Sequence, residues 1–266
     1  MIDAVLFDLG DTIIDFGVGR REAELLFRQG ARLTYRFLSN RHNNLPSFEQ
    51  YFRIHYRYLR RAWIWSKVSR RDFSYAEVLA RAAVILGIPV SAEELTDLAW
   101  LWYQPIGDAS HVDSGVNGML TQLRNAGTKL AIVSNTFVPP HCLDRHLREE
   151  GLLEFFPVRI YSSSVRYRKP HPRIFEMALS EVGVQANRAI FIGDLLATDI
   201  AGAKRAGMRT VWKPARHNAS RFNFLRRRRH TPDLVIPMVS QLTDVLHHFG
   251  WCPGRGAPAA SLIPSS

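Results

Sequence analysis

The sequence predicts an α/β protein, a doubly wound parallel sheet with a helical lobe inserted after its first strand. Three observations lead there. An apolar run near the start, Ala4-Val-Leu-Phe7, ends in a carboxylate, Asp8, followed by a turn. From about Arg20 to Tyr103 the pattern becomes helical, rich in Arg, Leu, Ala and aromatics, with no strand to interrupt it. From Val112 onward short apolar runs alternate with helical segments, and repeated βα units place a parallel sheet between two helical layers. A chain of 266 residues, 46% of them hydrophobic, can bury a full core. The expected organisation is a core of residues 1–15 and 108–250, a small helical cap of 16–107 and a disordered tail over 251–266, rich in Pro, Gly, Ala and Ser.

Each element has a local reason. Residues 2 to 8 read as a buried strand, because a continuous apolar run suits a sheet covered on both faces. In the lobe, Phe48, Tyr51, Phe52 and His55 recur at helical spacing, and so do Val78, Leu79, Ala82 and Leu86. Gly87-Ile-Pro89 closes the second of these helices, and Ser91-Ala-Glu-Glu94 opens another as a capping box. The alternating region gives a helix from Val116 to Asn125 stopped by Gly127, a strand from Lys129 to Val133, a helix near His141 to Glu150 and a strand near Arg159 to Ser162. A helix from Pro172 to Val182, a strand from Ala189 to Ile192, a helix from Asp199 to Ala206 and a strand from Arg209 to Trp212 follow. Asp233 to Ile236 completes the sheet, and a helix from Val239 to Phe249 ends the pattern.

Composition narrows the function. The formal net charge of +11 suits anionic partners, of which phosphorylated metabolites, nucleic acid and acidic protein surfaces are the classes to weigh against a merely solvated basic surface. The two cysteines, Cys142 and Cys252, form neither a disulfide framework nor a zinc pattern. The first strand starts directly after Met1, leaving no room for a leader, and no apolar run approaches a membrane span, so a cytoplasmic protein with no membrane partner is expected. Arg53, Arg57, Arg60, Arg61, Arg70 and Arg71 interleave with Tyr56, Tyr58, Trp63 and Trp65, a pattern that also serves single-stranded nucleic acid. An amphipathic cap helix whose aromatics dock on the core explains the same residues better, so nucleic acid is disfavoured. The run Arg226 to Arg229 reads as a solvated loop.

In open parallel sheets the ligand site lies outside the carboxyl ends of the strands. That rim should carry Asp8, the Ser134-Asn135-Thr136 segment after the second strand, Lys169 in the loop before a helix, and Gly193-Asp194 after a later strand. A carboxylate nucleophile, a hydroxyl and an ammonium for phosphoryl oxygens, and a second carboxylate for Mg²⁺ are the parts of phosphoryl transfer. Magnesium belongs to the logic, because Asp8 can approach a phosphate dianion only beside compensating cations.

Taken together, Asp8-Leu-Gly-Asp-Thr12, Ser134-Asn135, Lys169-Pro170 and Gly193-Asp194-Leu-Leu-Ala-Thr-Asp199 resemble, in order and separation, the four motifs of the haloacid dehalogenase superfamily. The resemblance spans residues 2 to about 249, with a Rossmann-like core, and the insert is similar to the small helical cap of the branch that includes phosphoglycolate phosphatase-like enzymes. It implies a Mg²⁺-dependent hydrolase of small phosphorylated metabolites, monomeric or homodimeric. It implies Asp8 as the nucleophile that becomes an aspartyl-phosphate, Thr12 as a buttress of the following loop, and Ser134 with the Asn135 amide as donors to the phosphoryl group. Lys169 would neutralise nucleophile and phosphate, Asp194 would hold Mg²⁺ with Asp8 and the Gly10 carbonyl, and Asp199 would order its loop. Gly193 would permit a close backbone approach.

One position departs from the pattern. Phosphatases of that superfamily carry a second aspartate two residues beyond the nucleophile as general acid and base, and here that residue is Gly10. Asp11 is offset by one residue in a tight turn, which normally points a side chain elsewhere, so a phosphatase would use Asp11, a cap residue or water in that role, or be restricted to substrates with good leaving groups. Losing acid–base help costs roughly 10²–10⁴ in rate for a poor leaving group and less for a good one. The alternatives are a weak or binding-only relative, a phosphonatase or a dehalogenase. The Gly193-Asp194 pair argues against a metal-free dehalogenase, and the lobe's single lysine, Lys67, reads as a solvated residue rather than a Schiff base. His111 and His171 lie near the expected rim as minor candidates for proton transfer.

Overall fold

The computed structural model describes residues 2–17, 20–69, 71–215 and 230–252. The basic run Arg226–Arg229, Arg70 and nearly all of the tail lie outside these residues. Six parallel strands form one sheet: β1 (Ala4–Phe7), β2 (Lys129–Ser134), β3 (Val158–Tyr161), β4 (Ala189–Gly193), β5 (Arg209–Trp212) and β6 (Leu234–Val235), in the order β3-β2-β1-β4-β5-β6. This is the doubly wound arrangement expected, with β1 in the middle, where the winding changes direction.

β1 shows why the sheet needs both helical layers. Val5 and Phe7 belong to one buried cluster, whereas Ala4 and Leu6 belong to another with Phe175, Ala178 and Phe191. Successive side chains of a strand point to opposite faces, so an unbroken apolar run must be covered twice. α5 (Val116–Asn125) and α6 (Pro140–Glu149) contribute Leu120, Leu123 and Leu143 to the first cluster, and α8 (Pro172–Val182) contributes Ile174 and Leu179 to the second.

Between β1 and β2 run α1 (Arg20–Ser39), α2 (Phe48–Ser69), α3 (Tyr75–Leu86) and α4 (Ala92–Asp108). Gly87, at φ 67°, closes α3, and both hydrogen bonds of the Ser91–Glu94 capping box are present at the start of α4. The chain leaves the sheet layer and returns through one paired crossing, where the Asp15 and His111 backbones exchange two hydrogen bonds of 2.9 Å. A further tie joins the α2–α3 connection to the core. The Asp72 carboxylate is buried, pairs with Arg168 at 2.9 Å and accepts from the Ser162 hydroxyl at 2.7 Å.

Some expectations change in the folded chain. On α2 the buried residues are Tyr51, His55, Leu59 and Ser66, a single stripe of i, i+4 spacing. Trp65 falls off that stripe, whereas Trp63 continues it one turn past Leu59; they are 69% and 45% exposed, so these two aromatics do not dock the lobe as expected. The loop after β4 begins with one π turn, Leu196–Ile200, before α9 (Ala201–Arg205), rather than one helix from Asp199. A short helix, α7 (Ser162–Val165), starts where β3 was expected to continue, and the segment after β6 mixes 3₁₀ turns with α10 (Leu242–Val245) instead of one helix. There the polypeptides pack too closely for an extra methyl, since a Cβ on Gly115 would lie 2.7 Å from that of Ser240.

Candidate active site

The parallel register brings three motif strands to one rim. Phe7 is level with Ile132 of β2 and Ile192 of β4, so Asp8, Ser134 and Gly193-Asp194 emerge together at the carboxyl ends. Lys169 arrives from the loop between α7 and α8. Asn135 fixes that loop with a reciprocal pair: its Oδ1 accepts from the Lys169 backbone amide at 2.7 Å, and its Nδ2 donates to the Lys169 carbonyl at 2.9 Å.

The Lys169 ammonium sits between two carboxylates, 2.6 Å from Asp8 Oδ1 and 2.8 Å from Asp199 Oδ1. Asp199 Oδ2 accepts from the Leu195 amide at 2.9 Å, closing the loop that follows Asp194. Gly193 has a steric reason, because a Cβ there would come within 2.6 Å of the Asp199 side chain. Asp194 is buried, and its carbonyl accepts from the Trp212 indole at 2.8 Å.

Asp8, Asp194 and Asp199 offer carboxylate oxygens that all lie within 4.8 Å of one another. If all three are ionised, they exceed the one ammonium among them by two charges. Burial, helped by Asp199 and opposed by Lys169, pushes the Asp8 carboxyl up to about 6. Burial and the charges of Asp199 and Asp8 push Asp194 up to about 9. Burial alone would lower the Lys169 ammonium, but Asp199 and Asp8 outweigh it and hold it above its ordinary value. Hard oxygen donors with uncompensated negative charge suit a small divalent cation such as Mg²⁺.

The nucleophile loop is sharply folded. Asp11 adopts a left-handed φ of 55°, and its Oδ1 accepts from the Phe16 amide at 3.3 Å. Thr12 is buried, and its hydroxyl makes no hydrogen bond among the described residues, so it fills space beneath the loop. Gly10 lies beside Phe16, whose ring edge would be 3.3 Å from a Cβ placed there. His171 caps α8, accepting from the Arg173 amide at 3.2 Å, and His111 stands at the paired crossing with Asp15. Lys67 is exposed, with its ammonium 5.1 Å from the Trp63 ring centre.

Sequence reasoning missed Lys213. It follows β5 directly, is buried, and donates from Nζ to the Asp11 carbonyl at 2.7 Å, pinning the nucleophile loop from across the rim. Its place just past an apolar strand, like that of Asp8, was the available signal. The Asp72–Arg168 pair was also invisible, because its partners lie 96 residues apart.

Above the rim, between the lobe and the sheet, opens a cavity of about 300 Å³ bounded by Gly10, Ser134, Asn135, Phe16, Phe27 and Phe137 among others. Among the described residues no helix is long and apolar enough to cross a membrane.

Residues 2–207 match the haloacid dehalogenase-like hydrolase family. A glyceraldehyde 3-phosphate phosphatase of Pyrococcus furiosus is 30% identical over 252 residues, covering 92% of this chain and 93% of that protein. A phosphatase structure from Thermococcus onnurineus aligns with TM-score 0.59 and 25% identity over 92% of this chain and 98% of that one. A 2-haloacid dehalogenase from Pseudomonas syringae, at TM-score 0.62 and 24% identity over 94% of this chain and all of that one, shares the fold. With motif order, sheet topology and buried carboxylate cluster in agreement, the chain belongs to the haloacid dehalogenase-like hydrolases.

Proposed function

We propose that this hydrolase is a Mg²⁺-dependent phosphatase acting on a small phosphorylated substrate through an aspartyl-phosphate on Asp8. The observation that carries the reading is the buried cluster of Asp8, Asp194 and Asp199 around Lys169, at the rim where the sheet's winding reverses. Relatives named as phosphatases, including the glyceraldehyde 3-phosphate phosphatases and a phosphoglycolate phosphatase, support the same class. Residues 16–107 are read as the cap and the sheet layer as the core, joined at the Asp15–His111 crossing.

Lys169 holds Asp8 Oδ1, which leaves Oδ2 as the attacking oxygen. Oδ2 forms a bond to phosphorus as the ester bond breaks, and the leaving oxygen keeps the electron pair. Water then attacks phosphorus, inorganic phosphate departs, and the Asp8 carboxylate is restored. Ser134 and the Asn135 amide would donate to phosphoryl oxygens, while Lys169 neutralises both reactants. Asp8, Asp194 and the Gly10 carbonyl would hold Mg²⁺, which supplies charge neutralisation between nucleophile and phosphate when bound. Asp199 orders the Asp194 loop and anchors Lys169, and Gly193 leaves room for it.

The test is hydrolysis of 4-nitrophenyl phosphate with and without Mg²⁺ by the wild type, Asp8→Asn and Gly10→Asp. Turnover that needs both Mg²⁺ and Asp8 supports the reading. Wild type and Gly10→Asp both remaining at the Asp8→Asn blank would leave a ligand-binding relative instead.

A further inference from the structure

The cavity above the rim limits what can be attached to the phosphate. We propose that the substrate is an aryl phosphomonoester, whose aromatic ring enters the slot between Phe16, Phe27 and Phe137, with Trp102 buried behind Phe27, and leaves as a phenolate; this rests on the phosphatase reading. The volume of about 300 Å³ accommodates one ring and a phosphoryl group, given that a cavity of roughly 150 Å³ can hold benzene.

The walls are preorganised for a flat apolar group. Phe27 stacks on Trp102 with centroids 5.2 Å apart at 23°, Trp102 contacts Phe137 at 5.9 Å, and Phe137 stacks on Phe73 at 5.4 Å and 4°. Phe27 and Phe137 are each braced by another ring, so that side of the slot exists before substrate arrives. Among the described residues its lining carries no charged side chain, and most of its wall is apolar. Apart from Ser134, which serves the phosphoryl group, the polar groups present are already engaged. Asn135 is tied to the Lys169 backbone, Thr136 Oγ1 accepts from the Val138 amide at 3.0 Å, and the Tyr103 hydroxyl meets His146 Nδ1 at 2.7 Å. A polyol would therefore lose its hydrogen bonds with water and find few replacements.

Gly10 adds a chemical argument. Where related phosphatases place an acid, this site places the edge of Phe16, 3.3 Å from where a Cβ would stand. With no acid at that position, the leaving oxygen departs more readily the better it bears its own charge. A phenol, with a pKa of about 10, tolerates this far better than an alcohol, whose pKa lies near that of water at about 15.7. As Asp8 Oδ2 bonds to phosphorus, the P–O(aryl) bond breaks, the phenolate oxygen keeps the electron pair, and it takes a proton from solvent after release.

The experiment compares kcat/KM of the full chain with Mg²⁺ on phenyl phosphate, phosphoglycolate, glyceraldehyde 3-phosphate and acetyl phosphate. Phenyl phosphate should exceed the two alkyl esters by at least roughly 100-fold. Inhibition constants supply a readout without chemistry: phenylphosphonate should bind at least about tenfold more tightly than methylphosphonate, and Phe27→Ala should erase that ratio. Phe27→Leu, which keeps more of the packing, should reduce the ratio if the alanine variant does not fold. Phosphoglycolate or glyceraldehyde 3-phosphate matching phenyl phosphate, or a phosphonate ratio near one, overturns the aryl assignment while leaving a phosphatase. Failure to hydrolyse even acetyl phosphate, which needs neither ring nor acid, overturns the phosphatase reading and this one with it.

Discussion

Replacing Asp194 by Asn should make the metal-free protein more stable while abolishing its response to Mg²⁺. Asp194 shares a buried site with Asp8 and Asp199, and Lys169 is the ammonium paired with the latter two. Burial, Asp199 and Asp8 raise its carboxyl from 3.8 to about 9, so at pH 7 the folded protein must hold it protonated or leave it uncompensated. A group whose folded pKa lies above its unfolded one favours folding fully only below the unfolded value, and loses that contribution as pH rises toward the folded value. The interval from 3.8 to pH 7 is about 3 pH units, and at about 1.36 kcal/mol each the cost reaches about 4 kcal/mol. Asparagine, neutral and of the same shape, escapes it. Thermal unfolding in EDTA at pH 7 should place Asp194→Asn roughly 8–16 °C above the wild type, given about 2–4 °C per kcal/mol for a chain of this size. The gain should vanish as pH approaches 4. Mg²⁺ at 100 times its Kd should stabilise the wild type by about 2.7 kcal/mol and the variant hardly at all. A variant no more stable than the wild type in EDTA, or one that keeps the Mg²⁺ shift, would refute the electrostatic account.

Three further outcomes can be checked by melting or denaturant titration. Gly193→Ala puts a methyl 2.6 Å from Asp199 and should lower stability by about 1–3 kcal/mol, together with activity; a wild-type melting curve would show that the loop has room to move. Asp72→Ala leaves Arg168 and Ser162 without their shared partner and should cost about 3 kcal/mol in urea titrations, whereas a change under 1 kcal/mol would mean that water replaces the contact. His55 is buried against Tyr75, and burial lowers its imidazole from 6.5 to about 4. The unfolded chain gains that proton first, so about 3 kcal/mol of stability present above pH 6.5 should drain away as pH falls toward 4, and His55→Gln should lack this component.

Much of the architecture was legible because it depends on local pattern. The run Ala4 to Phe7 had to be a strand covered on both faces, and Pro172 to Val182 had both an N-terminal proline and a closing glycine. The Ser91 capping box and the Gly87 stop were readable for the same reason, since capping groups and left-handed turns involve residues within a few positions. The segments that departed were those under tertiary pressure. The turn at Leu196–Ile200 is shaped by Asp199 reaching back to Leu195, and Trp65 is exposed because the phase of α2 is set by Tyr51, His55 and Leu59.

By itself the sequence determined the order of the strands along the chain, the helical insertion, the residues Asp8, Ser134 and Asp194 at strand ends and Lys169 in a loop before a helix, because periodicity and turn chemistry are local. Only the tertiary structure decided that Asp199 shares Lys169 with Asp8, that Lys213 pins the Asp11 loop, that Asp72 joins the lobe to Arg168, and that aromatic rings enclose the space above Gly10. Those arrangements pair groups that the chain separates by 30 to 202 residues, and burial and charge act through space, so no window along the sequence contains both partners.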